Sequence, residues 1–283
     1  MFFQDFAENV KFPNGIQVSS AMSQGNVRPQ MEDKMDIVDF IIDNQHFYVF
    51  CVYDGHCGTL KNPEISAVGH IQKNFTNYLR QQLLENNIRV NIRVAIERTF
   101  LLLDHDLKSE DSGTTVSMLM IVDDEKSSRQ VWVANVGDSS IFGFHLNPER
   151  CQKLSRDHKP CLASEMKQMQ MKSKSNKSNF KVDDHGYVVN RHGDSLAMSR
   201  SLGDSGFQDV ITSKPTITQV QQSCDYICLA SDGIWDVMSG KQVWEFIKNL
   251  KTFKNSAKMI LQYRNKSYEQ HDNCALILVK MFV

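Results

Sequence analysis

Apolar residues are concentrated in five short runs that polar segments separate. Their length and their β-branched and aromatic content are typical of strands buried on both faces. We therefore predict five central β-strands. The runs are HFYVFCVY (46–53), TTVSMLMIV (114–122), QVWVANV (130–136), DYICLA (225–230) and CALILVKMFV (274–283).

Two other segments repeat apolar residues with helical spacing, which predicts helices with one buried face. Ser239 is a suitable N-cap for the second helix. Because helices and strands fall in separate blocks without regular alternation, the pattern favours a layered α+β domain over a doubly wound one. The periodic residues are Val68, Ile71, Phe75, Leu79 and Leu83, and then Val243, Phe246, Ile247 and Leu250.

Two connecting segments carry their own signals. GDSS at 137–140 lies between two predicted strands, which indicates a hairpin with Asp138 at its turn. The stretch 166–185 is rich in Lys, Ser and Asn and has little strand character. Since core-like sequence resumes on both sides, we predict an exposed flap within a single domain that spans 1–283.

Composition limits the classes of function. A chain of 283 residues, 41% hydrophobic, can bury a large core without disulfides. Its 32 Lys and Arg balance 33 Asp and Glu, which gives no reason to expect nucleic acid as a partner. Seven cysteines, an odd number, favour a reducing compartment. With no signal peptide, no long apolar span and Phe2 instead of a myristoylated glycine, we expect a cytoplasmic or nuclear protein without a membrane anchor.

Three aspartates lie at the edges of predicted strands: Asp54, Asp232 and Asp272. Any one of them alone is well explained as a turn or helix-cap residue. Pairing of the strands, however, would bring their ends together, and gathered carboxylates repel one another unless a cation neutralises them. An all-oxygen ligand set selects Mg²⁺ or Mn²⁺ over zinc or copper.

Other charged or titratable residues could act together with these acids. Arg28, Glu32 and Asp33 form a group in RPQMEDKMD that is, by itself, typical of a solvated charge cluster. Beside a bound dication, an Arg guanidinium suits a phosphate because its planar fork matches two phosphate oxygens. His56 alone is typical of a turn, but two residues from a metal-binding Asp54 it can protonate a leaving oxygen. Together these residues indicate metal-assisted hydrolysis of a phosphate ester.

Eight motifs occur in one order along nearly the whole chain. With them, the sequence resembles the metal-dependent protein serine/threonine phosphatases of type 2C, the PPM family. The resemblance implies a four-layer αββα sandwich, in which helices flank two antiparallel β-sheets. The motifs are RPQMED (28–33), YDGHCG (53–58), SGTT (112–115), ANVGDSS (134–140), LSRDHKP (154–160), LAMSRSLGD (196–204), ASDGIWDVMS (230–239) and HDN (271–273).

The resemblance also implies a centre of two Mg²⁺ or Mn²⁺ ions. Asp54 would bridge the ions, and Gly55 would give its carbonyl to one of them. Asp232 and Asp272 would bind the other. Asp138 then matches a family acid at a weaker third metal site.

The remaining roles implied by the resemblance concern substrate and solvent. Glu32 and Asp33 would hold waters on the metals or complete the ligand set. Arg28 would bind the substrate phosphate, and His56 would be the general acid for the departing Ser or Thr oxygen. Asp236 is the second acid that matches the third metal site.

Two residues depart from the family pattern, since Cys57 and Asp194 stand where glycine is usual. Neither removes a predicted ligand.

The substrates would be phosphorylated proteins, and we expect a monomer. Two alternatives remain open: a catalytically inactive family member that serves as a protein-binding module, and a phosphatase for small metabolites or nucleotides.

Overall fold

The computed structural model describes residues 6–56, 65–85, 88–108, 111–124 and 129–281. Within them the main helices are α1 (Ala67–Glu85), α2 (Ile88–Asp106), α3 (Ala163–Asn176), α4 (Asp232–Trp235), α5 (Gly240–Lys248) and α6 (Ser256–Ser267). The strands of the first half are β1 (Phe6–Lys11), β2 (Gln17–Ser23), β3 (Asp33–Ile42), β4 (Gln45–His56), β5 (Gly113–Thr114), β6 (Val116–Asp124), β7 (Gln130–Val136) and β8 (Ser140–Leu146). Those of the second half are β9 (Glu149–Lys153), β10 (Lys181–Val182), β11 (Val188–Val189), β12 (Ser195–Leu196), β13 (Leu202–Gly203), β14 (Thr216–Gln219), β15 (Tyr226–Ala230) and β16 (Cys274–Lys280).

Two large sheets form the centre of the molecule, and every strand pairing among the described residues is antiparallel. One sheet has the order β1-β2-β16-β15-β8-β9. The other has the order β13-β5-β4-β6-β7-β14, with β3 paired to β4. Helices α1 and α2 cover the second sheet, and α5 and α6 cover the first. The predicted α+β sandwich is confirmed.

The core divides into layers that follow the two-residue period of a strand. In β4, Phe47 and Val49 point to the helices α1 and α2, whereas Tyr48 and Phe50 point to the other sheet. All four side chains are buried. The strand is therefore apolar on both faces, as its continuous hydrophobic run predicts.

Both predicted helices are present. The five periodic residues from Val68 to Leu83 are fully buried on one face of α1. Burying an aliphatic or aromatic side chain contributes roughly 1.5–3 kcal/mol, so this face anchors α1 to the sheet. Helix α5 begins after a capping box, in which Ser239 and Gln242 each satisfy the other's backbone N–H. Leu250 lies beyond the end of α5.

The predicted hairpin at 137–140 is wrong. Strand β7 pairs with β6 and β14, whereas β8 pairs with β15 and β9, so the GDSS turn carries the chain from one sheet to the other. Gly137 has a φ of +97°, and a Cβ there would lie 2.5 Å from Cγ2 of Thr115. Glycine is therefore required for the close approach of this crossing turn.

The lysine-rich stretch 166–185 contains most of α3, which the sequence pattern did not reveal. This helix buries only Glu165, Met169 and Ser173, because its remaining surface is polar. After it, β10, β11 and β12 form a small separate sheet. No described helix is long and apolar enough to cross a membrane.

Candidate metal centre

Three carboxylates from different parts of the fold meet at one end of the sandwich. Asp54 lies near the end of β4, Asp138 lies in the turn between the sheets, and Asp232 opens α4 directly after β15. Each offers a carboxylate oxygen within 4.8 Å of those of the other two. We call these three residues the acidic cluster.

The predicted route by which these acids meet needs correction. Strands β15 and β16 do pair, which brings Asp232 and Asp272 to the same end of one sheet. Strand β4, which carries Asp54, belongs to the other sheet. Packing of one sheet on the other, not strand pairing, therefore brings Asp54 to the acidic cluster.

Burial and mutual repulsion raise the pKa of two acids of the cluster, Asp54 and Asp232. Burial raises the pKa of Asp54 well above its usual value, and the neighbouring Asp232 and Asp33 raise it further. For Asp232, burial and then the charges of Asp138 and Asp236 raise the pKa to about 7. The side chains of Asp54 and Asp232 also share a hydrogen bond. Their charges are thus poorly compensated, as the sequence analysis anticipated.

Asp138 provides the observation that best fits a cation. Its Oδ1 is buried and has no hydrogen-bond partner among the described residues. Its Oδ2 accepts a hydrogen bond from Nζ of Lys159. Burial raises the pKa of the nearby Asp236. The charge of Lys159 lowers this pKa and the charge of Asp138 raises it, and the net shift is upward. A buried carboxylate oxygen without a donor, among other carboxylates, fits a hard divalent ion.

Arg28 lies at the same site and binds another predicted ligand. Its Nε and Nη2 donate to the two carboxylate oxygens of Asp272 at 2.8 and 3.0 Å. The side chain of Arg28 is 52% exposed, so its fork also faces solvent. Asp272 in turn accepts the backbone N–H of Asn273 at 2.7 Å. The structure therefore places Arg28 against a predicted metal ligand.

Glu32 and Asp33 lie beside the acidic cluster. Asp33 stands opposite Asp54 in the β3–β4 pairing, and its Oδ2 accepts the hydroxyl of Ser231 at 2.6 Å. Burial raises the pKa of Asp33 to about 8, although the Ser231 hydrogen bond lowers it. Glu32 donates its backbone N–H to Oδ1 of Asn273 at 2.7 Å. These contacts tie the loop before β3 to the ends of β15 and β16.

The backbone at the end of β4 is fixed by its neighbours. The N–H of Asp54 donates to Oγ1 of Thr115 at 3.2 Å, and its carbonyl accepts the Thr115 N–H at 2.9 Å. The hydroxyl of Thr114 donates to the same carbonyl at 3.1 Å. At Gly55 a Cβ would lie 2.6 Å from the carbonyl oxygen of Glu32, so only glycine fits without a shift.

The two departures from the family pattern differ in what the structure shows. Cys57 lies outside the described residues. Asp194 forms a polar turn with Asn190, whose Nδ2 donates to Asp194 Oδ2 at 3.0 Å and whose Oδ1 accepts the Asp194 N–H at 3.0 Å. The extra acid is thus engaged in its own turn.

Sequence reasoning missed the partners of two site residues. Lys159 binds Asp138, and Asp204 binds His56 through Nε2 at 2.8 Å. Burial lowers the pKa of His56, but the charge and hydrogen bond of Asp204, with the charges of Asp138 and Glu32, raise it, and the net shift is upward. Both partners lie in quoted motifs, LSRDHKP and LAMSRSLGD. Neither residue follows one of the five apolar runs from which strands were predicted. The sequence signal for both is therefore only their presence in those motifs.

Comparisons with known proteins identify similar chains. A rice protein (Oryza sativa subsp. japonica), "Probable protein phosphatase 2C 56", is 31% identical over 78% of this chain, which spans 58% of that protein. Protein phosphatase 2C homolog 1 of Saccharomyces cerevisiae is 27% identical over 83% of each chain. The crystal structure of serine-threonine phosphatase 2C from Toxoplasma gondii covers 98% of this chain and 99% of its own, with a TM-score of 0.74 and 18% identity.

The family comparison covers most of the sequence. The sequence model described as Protein phosphatase 2C matches residues 18–270. That range includes every residue of the acidic cluster, together with Arg28 and His56. The chain belongs to the protein phosphatase 2C family of metal-dependent protein serine/threonine phosphatases.

Proposed function

We propose that this chain hydrolyses phosphoserine and phosphothreonine in proteins at a centre of two Mg²⁺ or Mn²⁺ ions, with a weaker third ion. The acidic cluster carries the proposal, because three carboxylates within 4.8 Å of one another, one buried and two partly buried, need positive charge. The setting would be the cytoplasm or nucleus. Six cysteines fall among the described residues and none forms a disulfide, which supports a reducing compartment.

The residues divide into those that would hold the ions and those that would handle the substrate. When bound, the ions would offset the charge of the phosphate and supply an activated water. Asp54 would be a ligand of both ions, and Thr114 and Thr115 already fix its backbone. The other ligands would be the Gly55 carbonyl, Asp232 and Asp272, with Glu32 and Asp33 nearby and with Asp138 and Asp236 toward the third ion.

Arg28 would bind the phosphate of the substrate. Two N–H groups of its guanidinium now donate to the two carboxylate oxygens of Asp272, and two oxygens of a phosphate can accept hydrogen bonds in the same way. Since the guanidinium is half exposed, it can turn from Asp272 to an incoming phosphate without breaking any buried contact. Arg28 and the ions would then share the negative charge that the phosphate brings.

His56 would protonate the departing oxygen. As the bond between phosphorus and the serine or threonine oxygen breaks, its electron pair passes to that oxygen, which takes a proton from the imidazolium. Water attacks phosphorus from the opposite side. The products are inorganic phosphate and the free hydroxyl side chain.

Phosphate release from a phosphoserine peptide tests the proposal. We expect activity with Mn²⁺, and loss of activity with EDTA or in Asp232→Asn. Asp194→Asn is the matched control, because Asp194 bonds within its own turn, and it should retain activity. Equal rates under all conditions would overturn the proposal. Calorimetry that detects no Mn²⁺ binding would favour the inactive binding module instead.

A further inference from the structure

The imidazole of His56 is held by a carboxylate that is distant in the sequence. Its Nε2 lies 2.8 Å from Oδ2 and 2.9 Å from Oδ1 of Asp204. We propose that Asp204 is a positioning residue for the phosphatase reaction. It keeps Nε2 of His56 turned away from the substrate, so that Nδ1 is the atom that delivers the proton. This inference rests on the proposed function, in which His56 is the general acid.

Asp204 is built into its place by several contacts. Its side chain is only 4% exposed, and Oδ2 also accepts the hydroxyl of Ser201. Its backbone N–H donates to the carbonyl of Ser112 at 3.0 Å, and its own carbonyl accepts the N–H of Phe207 at 2.8 Å. These contacts hold both the backbone and the carboxylate, so the acid cannot follow the ring if His56 turns.

The backbone of Asp204 has a left-handed conformation, with a φ of 51°. That conformation is unfavourable for residues with a Cβ, and Asn and Asp tolerate it best. Such residues persist only where the surroundings determine them, and they are concentrated at functional sites. The conformation directs the Asp204 carboxylate to Nε2 of His56.

Glycine is needed at two positions around the His56–Asp204 pair, because a Cβ at either position would clash with a neighbouring atom. Strand β5 pairs with β4 on one side and with β13 on the other, which places Gly113 opposite His56 and opposite Gly203. A Cβ at Gly113 would lie 2.2 Å from Oδ2 of Asp204 and 2.3 Å from Nε2 of His56. A Cβ at Gly203 would lie 2.3 Å from the carbonyl oxygen of Ser112. The pair thus occupies the space that a side chain at Gly113 would need.

The contact decides which nitrogen can act. In an imidazole, the hydrogen bond made by one nitrogen sets the role of the other. With Nε2–H donated to Asp204, the Nδ1–H of the imidazolium passes its proton to the serine oxygen as the P–O bond breaks. Loss of this proton leaves the ring neutral, with its Nε2–H still donated to Asp204. No further reactant is needed.

A comparison of leaving groups tests this role. In Asp204→Asn the left-handed backbone is tolerated, while the charge facing His56 is removed. We expect kcat for a phosphoserine peptide to fall by about 10- to 100-fold, as for partial loss of general acid catalysis. Hydrolysis of 4-nitrophenyl phosphate should change by less than about threefold, because nitrophenolate leaves without a proton.

Two further variants separate positioning from general damage. Gly113→Ala keeps both partners but inserts a methyl group between them, so it should give the same selective loss. Asp111→Asn is the control, since Asp111 is an exposed acid of the same loop region that bonds Ser205, and both activities should persist. Equal losses on both substrates in Asp204→Asn would overturn the proposal. If Gly113→Ala fails to fold, Asp204→Asn carries the test.

Nitrogen NMR of the metal-free protein provides a reading that does not depend on activity. In alkaline buffer, where the ring is neutral, wild-type His56 should carry its proton on Nε2, and Gly113→Ala should reduce this preference. A proton found on Nδ1 in the wild type would overturn the proposal. If the wild type shows Nε2–H but never hydrolyses a phosphopeptide, the proposed function fails while the His56–Asp204 contact stands.

Discussion

Two sets of buried acids in this fold behave in opposite ways. Glu165 receives Nε and Nη2 of Arg200 at 2.8 and 2.7 Å, and a hydroxyl from Ser199 at 2.9 Å. Burial alone would raise the pKa of Glu165, but Arg200 outweighs it and the pKa is lowered. Asp232, in the acidic cluster, is surrounded by other carboxylates, and burial with their repulsion raises its pKa to about 7.

The difference shows that neighbours, not burial, decide what a buried carboxylate does. The Glu165–Arg200 pair joins α3 to the segment before β13, and its charge is compensated within the fold. The acidic cluster lacks comparable compensation and is ready for cations. A buried acid with a raised pKa, next to further acids, therefore marks a binding site.

Removal of a cluster carboxylate should have the largest effect of any change considered. In Asp54→Asn we expect kcat/KM on a phosphopeptide with Mn²⁺ to fall by at least about 1,000-fold, because metal stabilisation contributes several kcal/mol. Glu165→Gln should reduce activity only in proportion to the unfolded fraction, measured by circular dichroism. If Asp54→Asn and Glu165→Gln had similar activities per folded molecule, the acidic cluster and the Glu165–Arg200 pair would not differ in function.

Breaking the ion pair should affect stability instead. Arg200→Met leaves Glu165 buried without its cation, and the free energy of unfolding should fall by about 3 kcal/mol or more in urea titrations. The double variant with Glu165→Leu should recover part of this loss. Lys248→Met removes exposed pairs with Glu149 and Glu245 and should change the free energy of unfolding much less than Arg200→Met does. Equal losses in the two single variants would contradict this interpretation.

Addition of metal should stabilise the acidic cluster but leave the ion pair unaffected. At a free Mg²⁺ concentration of 100 times Kd, the native state gains about 2.7 kcal/mol. We expect the melting temperature to rise with MgCl₂ in the wild type and in Arg200→Met, and to change much less in Asp54→Asn. A rise of the same size in Asp54→Asn would place the cation elsewhere.

The pH dependence of stability should show the smallest effect. Asp232 has a folded-state pKa of about 7, above the 3.8 of an ordinary Asp, so the native state binds a proton that the unfolded state releases. Its stabilising contribution is complete below pH 3.8 and is lost as pH rises through 7. Between pH 6 and 7 the free energy of unfolding of the metal-free protein, measured by urea titration, should fall by about 1 kcal/mol. Asp232→Asn should flatten this slope, and a wild-type slope of opposite sign would contradict it.

The sequence predicts the strands and the principal acids well, for a physical reason. Runs such as 47–53 are apolar at every position because both faces of the strand are covered, and this signal is local. Asp54 and Asp232 stand at the ends of such runs. Their positions could therefore be predicted without knowledge of the tertiary fold.

The errors arise where the information is not local. The turn at 137–140 has the sequence of a hairpin, but partner strands far along the chain place β7 and β8 in different sheets. Helix α3 has few buried residues, so it lacks a clear periodic signal. Asp204 is 148 positions from His56, and only the tertiary fold brings the two side chains together.

The position of β16 has a consequence for synthesis of the chain. This strand, at 274–280, lies inside its sheet between β2 and β15, and Asp272 lies two residues before its start. A ribosome makes the chain from its N-terminus, so β2 pairs with β1 early but must wait for residues 274–280 before it can pair with β16. Until then a nascent chain lacks the completed sheet, and the metal centre can assemble only after Asp272 and β16 have been made.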